Sequence, residues 1–476
     1  MNLDLGVKSF TKINIQLIEE IKSLIPNCFI LFDEESLKKY SHDETEDLVY
    51  YPELIVIPTL PEEIQILFRW CNQNYIPITP RGAGTGLSGG SLPIFGGVIL
   101  SMEKFNKILK IDERNQQAIV EAGVITQILM DEAEKVGLYY PIDPSSKGSC
   151  YLGSNVAHGS GGPRVVKYGT LRDYVLNLEV VLTNGDIIWT GSNTLKFASG
   201  YNLTQLMIGS EGTLAVITKV VVKLIPKPKT NLLLMVGFES PEKACMAVSL
   251  LFKNGFTPSA LEFMEKSGIE WVIKFDKLNF IIEAGTEAYL LIELDGEHLD
   301  YLQIQAEQIS ELLYDFGCKE ILLADTASQK EDWWRMRRKM AESVKANSIY
   351  KEEDTVVPRA ELGKLISGIK KIGLAYGFTS ICYGHAGDGN LHINIIKGNL
   401  SDKTWEIDLP EAIREIFKLT VQLGGTISGE HGIGLVQKKY MGIAFSEVHL
   451  NLQREIKRVF DPLGILNPGK IFNNMP

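Results

Sequence analysis

Apolar and polar positions follow two different periods along the chain, and each period predicts a different kind of element. Near the N-terminus, apolar residues from Ile15 to Ile25 recur at helical spacing, which predicts a helical lead-in within residues 1–50. Short apolar runs typical of strands dominate from there to residue 225, and Asn184-Gly185 is a two-residue hairpin signal between two of them. The predicted strands cover 54–58, 76–79, 98–102, 107–111, 118–124, 177–188 and 213–225.

A second pattern begins after Pro226 and Pro228, which place a domain boundary near residue 227. Strands and helices then follow in a β-α-β-β-α-β order, which predicts a ferredoxin-like domain. The predicted ranges are strand 231–238, helix 241–254, strands 258–263 and 288–294, helix 299–316 and strand 320–324. Further helices are predicted at 331–346, 361–376, 409–423 and 447–460.

Length and composition limit the classes of protein to which the chain can belong. Its 476 residues, 45% hydrophobic and 22% charged, fit a globular protein of two or three domains. The net charge of −11 lacks the basic footprint of a nucleic-acid binder. Six cysteines without a CxxC pair favour a reducing cytoplasm over a disulfide framework. No apolar run approaches the ~20 residues of a membrane span, so any membrane association would be peripheral, through a partner.

Glycine-rich segments indicate a phosphate-bearing ligand. The segment PRGAGTGLSGG (80–90) is followed by GSNVAHGSGGPRVVKYG (153–169) and GSEGT (209–213). Exposed backbone N–H groups in such loops form concavities that suit phosphate, and Arg81 adds positive charge. The first loop departs from G-x-G-x-x-G and does not open a helix, which argues against a Rossmann dinucleotide site.

Two histidine-bearing segments indicate a metal site. HAGDGNLH (385–392) has a turn signal at Asp388-Gly389, and a reversal there could fold His392 back toward His385. SGEHGIG supplies a carboxylate, Glu430, between glycines. Two imidazoles and one carboxylate suit zinc, manganese or iron(II) and leave coordination positions open for substrate.

Together these segments resemble the vanillyl-alcohol oxidase / p-cresol methylhydroxylase superfamily of FAD-binding oxidoreductases. GHAGDGNLHIN and ISGEHGIG are similar to the branch of glycolate oxidase D-subunits and D-lactate dehydrogenases, and the resemblance extends from about residue 50 to the tail at 461–472. It implies an α+β fold: a two-part FAD-binding domain of the p-cresol methylhydroxylase type, a ferredoxin-like antiparallel-sheet substrate (cap) domain and C-terminal helices. We expect a lead-in at 1–50, the FAD-binding domain at 51–227 and the substrate domain at 228–425. A C-terminal segment, 426–476, would close the active site and pack on the FAD domain.

The resemblance also implies which residues contact FAD. Some relatives attach FAD through a histidine in an R-x-G-G-H pattern, but that pattern places Thr85 at the histidine position, so non-covalent FAD is expected. His158 is the nearby rival for a covalent link. The expected contacts are Pro80, Arg81, Gly82, Ala83, Gly84, Thr85, Gly86, Gly90, Pro144, Ser145, Gly148, Gly153, Ser154, Asn155, Ser160, Gly161, Gly162, Glu211, Gly212, Ile217 and Asn467.

The same resemblance implies roles at the second site. His385, His392 and Glu430 would hold the metal, and His431 would accept the substrate hydroxyl proton, which suits an imidazole pKa near ~6.5. Arg337, within WWRMRR, would grip the substrate carboxylate, and Asn394 would contact substrate.

The implied activity is oxidation of a small D-2-hydroxy acid, D-lactate or glycolate, to the 2-oxo acid. Relatives specific for 2-hydroxyglutarate carry a threonine where this chain has Ala341, and a lysine at a place that falls near Lys351 or Glu352. Lys345, expected on the same helix face as Arg337, could partly substitute. Electrons would pass to a quinone, a cytochrome or an electron-transfer flavoprotein, and a homodimer is the assembly that the family suggests.

The sequence leaves three other activities to distinguish from this one. The first is a D-2-hydroxyglutarate dehydrogenase, and the second is a non-catalytic flavin subunit of a glycolate oxidase complex, which should lack the histidine segment. The third, the related ether-lipid synthase, is disfavoured because the chain has no His-His-His run and does not end in S-K-L.

Overall fold

The computed structural model describes residues 9–473, which divide into two compact units. The first unit comprises the chain up to Ser160, Thr170–Pro226 and the chain from Glu430 onwards. The second unit comprises Gly161–Gly169 and Lys227–Gly429.

The part of the chain before residue 227 is built from short strands and short helices. The strands are β1 (Phe29–Leu31), β2 (Leu54–Ile57), β3 (Ile78–Arg81), β4 (Val98–Ser101), β5 (Ile108–Asp112), β6 (Gln117–Glu121), β7 (Leu138–Tyr139), β8 (Val175–Val181), β9 (Ile187–Trp189), β10 (Val216–Lys223) and β11 (Ile225–Pro226). The helices are α1 (Ile15–Leu24), α2 (Glu34–Lys39), α3 (Pro61–Asn74), α4 (Thr126–Lys135), α5 (Leu152–His158), α6 (Val165–Tyr168) and α7 (Leu203–Met207).

The rest of the chain carries longer helices and a set of longer strands. The strands are β12 (Thr230–Phe238), β13 (Ala260–Glu265), β14 (Ala288–Gly296), β15 (Glu320–Leu323), β16 (Tyr350–Val356), β17 (Thr379–Gly384) and β18 (Asn390–Ile396). The helices are α8 (Pro241–Lys253), α9 (Lys266–Asp276), α10 (Leu299–Phe316), α11 (Ala327–Arg338), α12 (Met340–Asn347), α13 (Leu362–Tyr376), α14 (Leu409–Gln422), α15 (Met441–Ala444) and α16 (Glu447–Phe460).

The first unit contains two main sheets. One has the strand order β1-β2-β4-β3, in which β2 and β3 run parallel to β4. Strands β2 and β4 are buried along their whole length, as strands of parallel sheets usually are. The other is an antiparallel sheet of order β5-β6-β10-β8-β9, and β7 pairs with β11. Strands β8 and β9 form the hairpin that Asn184-Gly185 predicts, although its loop is longer than two residues.

The second unit is one antiparallel sheet of seven strands, in the order β15-β12-β14-β13-β17-β18-β16, with helices on both faces. Helices α9, α11 and α12 cover one face, where apolar side chains such as Met264, Tyr289 and Trp333 form a continuous core. We call this the α11 face. Helices α8, α10 and α13 lie against the opposite face.

Within residues 227–429, the sequence predicted most of the elements and missed four of them, and before residue 227 it missed several of the shortest strands and helices. Helix α9 interrupts the predicted β-α-β-β-α-β order, and strands β16, β17 and β18 extend the sheet. The helix expected at 331–346 is broken at Lys339 into α11 and α12. Arg337 is buried on α11 and Lys345 is exposed on α12, so the expectation that they share one helix face is wrong.

No helix among residues 9–473 is long and apolar enough to cross a membrane.

Candidate active site

A strand hairpin brings His385 and His392 together. Strands β17 and β18 pair antiparallel, with Tyr383 opposite His392, and a 3₁₀ turn at Ala386–Asp388 joins them. Gly389 closes the turn at φ 82°, a conformation that favours glycine. The two imidazole centroids are 5.7 Å apart, and both rings are buried. The reversal predicted at Asp388-Gly389 is therefore present.

The neighbouring strand β16 adds polar side chains to the same face of the sheet. Glu352 lies opposite Asn394 in the pairing of β16 with β18, and Asp354 lies opposite His392. Directly paired residues of antiparallel strands project to one side, so these residues share the α11 face. The Glu352 carboxylate is 3.6 Å from His392 Nδ1.

Glu262, which the sequence reasoning missed, lies at the centre of this group. It is fully buried on β13, and its two carboxylate oxygens are 2.9 and 3.0 Å from His385 Nδ1. Arg337 Nε forms an ion pair with the same carboxylate at 2.8 Å. Burial by itself raises the pKa of Glu262, but the charges and hydrogen bonds of His385 and Arg337 outweigh it and leave that pKa below its usual value. A lone acid within the apolar run ALEFM was the signal that could have identified it.

Two buried polar groups here have unused hydrogen-bonding capacity. Among residues 9–473, neither Arg337 Nη2 nor Asn394 Oδ1 has a hydrogen-bond partner. The Arg337 guanidinium lies 5.1 Å from the ring centroid of Tyr383. Because unsatisfied buried polar atoms are costly, these atoms are suited to an incoming polar ligand.

Asp354 fixes the segment that leads to Glu430. Its Oδ2 accepts hydrogen bonds from the Gly429 amide at 2.8 Å and from Ser428 Oγ at 3.0 Å. Its Oδ1 accepts from Asn390 Nδ2 at 2.6 Å. Gly429 is the last residue of the second unit, and Glu430 and His431 follow it directly.

A separate cavity lies within the first unit and opens to solvent, with about 590 Å³ of empty space when its open mouth is included. Nine of the residues expected to contact FAD line it: Pro80, Arg81, Gly82, Gly90, Gly153, Ser154, Glu211, Gly212 and Ile217. The sequence reasoning did not assign Ser91, Met102, Ala122, Ala157, Ala215 and Val216, which also line it. His158, the rival for a covalent link, lines the cavity as well.

Close backbone approach explains why glycines form part of the cavity wall. A Cβ atom at Gly82 would lie 1.8 Å from Ser154 Oγ, and one at Gly153 would lie 2.5 Å from the Cβ of Ala122. Gly82 therefore allows the first glycine loop to approach helix α5, and Gly153 allows α5 to approach Ala122. This is a concave, backbone-lined cradle of the kind that accepts a pyrophosphate.

Glu211 connects this cavity to the C-terminal segment. It has a left-handed backbone, φ 52°, which is uncommon for a residue with a side chain. Its carboxylate accepts hydrogen bonds from the backbone amides of Ile433, at 2.7 Å, and Gly434, at 2.6 Å. Asn467 Nδ2 donates to the Glu211 and Gly90 carbonyls, both at 2.9 Å.

The second glycine-rich block is not a single loop. Leu152–His158 form helix α5, which Gly159 ends, and Gly161 and Gly162 already belong to the second unit. Within the second unit, Arg164 forms an ion pair with Glu293, with Nη2 3.1 Å from Oε1. The other expected FAD contacts lie outside the lining of the cavity: Ala83, Gly84, Thr85, Gly86, Pro144, Ser145, Gly148, Asn155, Ser160 and Asn467.

Comparison with known families accounts for both units. The model described as "FAD linked oxidases, C-terminal domain" matches residues 227–471, and the model described as "FAD binding domain" matches residues 52–191. The chain belongs to the FAD-linked oxidase family. It is an FAD-dependent oxidoreductase, as the resemblance of its glycine and histidine segments to that superfamily implied.

Named relatives cover nearly the whole chain of this FAD-linked oxidase. A D-lactate dehydrogenase from Anaerostipes hadrus is 38% identical over 97% of this chain and 98% of its own. The glycolate oxidase subunit GlcD of Bacillus subtilis is 37% identical over 91% of this chain and 92% of its own. A solved structure of p-cresol methylhydroxylase with substrate bound superposes with a TM-score of 0.77 at 19% identity, covering 96% of each chain. That last likeness confirms the predicted fold class.

Proposed function

We propose that this enzyme oxidises a small D-2-hydroxy acid, such as D-lactate or glycolate, to the corresponding 2-oxo acid. The observation that carries the proposal is the buried group on the α11 face, where two histidines lie beside an arginine and an asparagine with unused polar atoms. A hydroxyl next to a carboxylate is the ligand that complements such a group. The names of the two relatives support the same substrate class.

A divalent metal fits the donor set of this group. The Glu262 carboxylate engages His385 Nδ1, so His385 would bind a metal through its other ring nitrogen, Nε2. His392 would be the second ligand. Glu430 would be the third, because the Asp354–Gly429 hydrogen bond fixes the residue that precedes it. Zinc, manganese and iron(II) all accept two imidazoles and one carboxylate.

FAD fits the cavity of the first unit. The glycine cradle at Gly82 and Gly153 would receive the pyrophosphate, and Arg81 would contribute positive charge. Thr85 stands where some relatives carry the linking histidine, so we propose non-covalent FAD. The remaining contacts expected from the sequence, from Ala83 to Asn467, would bind other parts of FAD.

The reaction assigns one task to each side chain. When bound, FAD would supply the hydride acceptor for the α-hydrogen, and the metal would lower the pKa of the substrate hydroxyl. Arg337 would bind the substrate carboxylate through its free guanidinium edge, and Asn394 would contact the substrate through Oδ1. His431, the residue after Glu430, would accept the hydroxyl proton on its imidazole.

The charges on strand β16 favour a monocarboxylate substrate. Lys351 stacks on the Trp405 ring, with Nζ 4.9 Å from its centroid, and points away from the α11 face. Glu352 occupies the α11 face instead, so an anion rather than a cation borders His392. A second substrate carboxylate would be repelled there, and the exposed Lys345 does not compensate. This disfavours the alternative of a D-2-hydroxyglutarate dehydrogenase.

An anaerobic substrate screen tests the proposal. D-lactate or glycolate should bleach the oxidised flavin absorbance, L-lactate should not, and metal analysis should find about one divalent ion per chain. The variant His392→Ala should lose the metal and the bleaching, whereas His449→Ala, at an exposed histidine on α16, should keep both.

Bound FAD that no 2-hydroxy acid reduces would favour the other alternative, a non-catalytic flavin subunit. Adding a quinone, a cytochrome or an electron-transfer flavoprotein after reduction would identify the acceptor, and light scattering would test for a homodimer.

A further inference from the structure

Glu262 makes direct contacts with side chains of two different functions. The pairing of β13 with β17 puts Phe263 opposite Gly384, which brings Glu262 beside His385. One carboxylate therefore contacts both His385 Nδ1, at 2.9 Å, and Arg337 Nε, at 2.8 Å. The carboxylate is fully buried, so bulk water does not screen these contacts.

The contact with His385 selects one tautomer of its imidazole. A carboxylate flanked by a guanidinium accepts hydrogen bonds, so His385 Nδ1 must carry the hydrogen that it donates. The lone pair is then on Nε2. Histidines that bind metals commonly donate their other ring N–H to a carboxylate, which fixes the ring and raises its basicity.

The contact with Arg337 fixes the direction of its guanidinium. The ion pair brings Nε to 2.8 Å from the carboxylate without the angle of a hydrogen bond, and Nη2 has no hydrogen-bond partner within residues 9–473. A guanidinium held along one edge presents the other edge in a fixed plane, which suits a carboxylate ligand.

We infer that Glu262 is a positioning residue that serves both proposed substrate-binding elements, the metal ligand His385 and the carboxylate anchor Arg337. The inference rests on the proposed function. It goes beyond that function by assigning to one residue the orientation of both His385 and Arg337. Loss of the Glu262 carboxylate should weaken metal binding and substrate-carboxylate binding together, although Glu262 would contact neither the metal nor the substrate.

The test compares three variants of the FAD-loaded protein by calorimetry, with zinc and pyruvate as separate probes. Glu262→Gln keeps the side-chain shape but removes the charge and leaves an amide facing Arg337. It should lower zinc affinity about 10- to 100-fold, the usual effect of losing such a partner, and weaken pyruvate binding as well. Arg337→Met should weaken pyruvate binding while zinc affinity stays within about twofold.

Glu265→Gln is the matched control. Glu265 is also a buried carboxylate on β13, but it projects to the opposite face, where Lys370 and the Cys382 amide bind it. This variant should leave both affinities within about twofold. FAD content and melting temperature establish that each variant is folded.

The outcomes separate the inference from the proposed function. If wild-type protein binds zinc and folded Glu262→Gln binds it equally well, the role of Glu262 is overturned while the proposed function stands. If Glu265→Gln lowers both affinities as much as Glu262→Gln, a general weakening of β13 explains the result and the inference fails. Wild-type protein that takes up neither zinc nor any other divalent ion would overturn both proposals.

Discussion

Asp354 accepts a hydrogen bond from the backbone amide of Gly429 at 2.8 Å. Asp354 is buried on β16 and lies opposite His392 in the strand pairing, so one residue links the histidine hairpin to the residue before Glu430. Seventy-five positions separate the two partners in sequence. A proposed metal site whose ligands come from distant segments depends on such contacts for its geometry.

We expect Asp354→Asn to weaken metal binding without loss of FAD. Both carboxylate oxygens accept hydrogen bonds, so the new NH2 group must face either the Gly429 and Ser428 donors or Asn390 Nδ2, and the anchor of the segment before Glu430 is weakened in either orientation. Zinc affinity should fall about tenfold or more, measured by competition with a chromophoric chelator. Ser428→Ala removes one of these hydrogen bonds, worth about 1 kcal/mol, and should have a smaller effect. Equal zinc affinities in all three proteins would contradict the prediction.

The glycine cradle gives a second prediction. Gly82→Ala would place a Cβ atom 1.8 Å from Ser154 Oγ and 3.0 Å from its Cβ, so the Ser154 hydroxyl must rotate away and the loop must shift slightly to relieve the remaining tight contact. Overpacking of this kind costs ~1–3 kcal/mol, and FAD affinity should fall roughly tenfold, measured by flavin fluorescence during dialysis. Gly442→Ala, whose added Cβ meets no atom within 4 Å, is the control. The double variant Gly82→Ala/Ser154→Gly should recover part of the loss if the clash is the cause.

The sequence predicted the parts of this site that depend on local motifs, and it missed the parts that depend on contacts between residues far apart in the chain. Asp388-Gly389 is a local turn signal, and the hairpin that unites His385 and His392 followed from it. Strand β16 was missed because YKEEDTV reads as a polar surface segment rather than as a strand. Alternate residues of β16 instead point to opposite faces of the sheet, and only the pairing of β16 with β18 shows which residues point to which face.

Glu262 and Arg337 illustrate a second limit. Each was visible in the sequence, one as an acid within an apolar run and the other within a basic helix. Their ion pair joins residues 75 positions apart through the packing of α11 on the sheet, and no local period encodes it. The break at Lys339 was also invisible, because the residues around it are good helix formers.

Charge reversal at Glu352 should change the substrate range. Glu352→Lys would put a cation on the α11 face beside His392, and the ratio of kcat/KM for D-2-hydroxyglutarate over D-lactate should rise at least tenfold. Glu352→Gln, which only removes the repulsion, should raise the ratio by less. Lys351→Gln changes the charge on the other face of the strand and should leave the ratio unchanged. Wild-type protein that already prefers D-2-hydroxyglutarate would refute the assignment.

Buried Lys470 should give the first unit an unusual dependence of stability on pH. Its ammonium group donates to the Leu92 carbonyl at 2.5 Å and to Asn467 Oδ1 at 3.3 Å. Burial, with repulsion from Lys438, lowers its pKa to about 7, although Asp43 and Glu211 oppose the shift. In the unfolded chain the pKa returns to ~10.4. Between these two pKa values the unfolded state binds more protons than the folded state, so the free energy of unfolding rises with pH across this range. Below the folded pKa, the energetic cost of burying the charged ammonium group lowers stability in full.

Replacing Lys470 with methionine should remove that dependence. Between pH 6 and pH 9, wild-type protein should gain roughly 2 kcal/mol more in unfolding free energy than Lys470→Met. Urea unfolding at several pH values measures the difference, and subtracting the two curves cancels other titrating groups that do not contact Lys470. Lys371→Met, at an exposed lysine, should follow the wild-type curve. Parallel curves for wild type and Lys470→Met would mean that Lys470 keeps its charge throughout this range, held by Asp43 and Glu211 in spite of its burial.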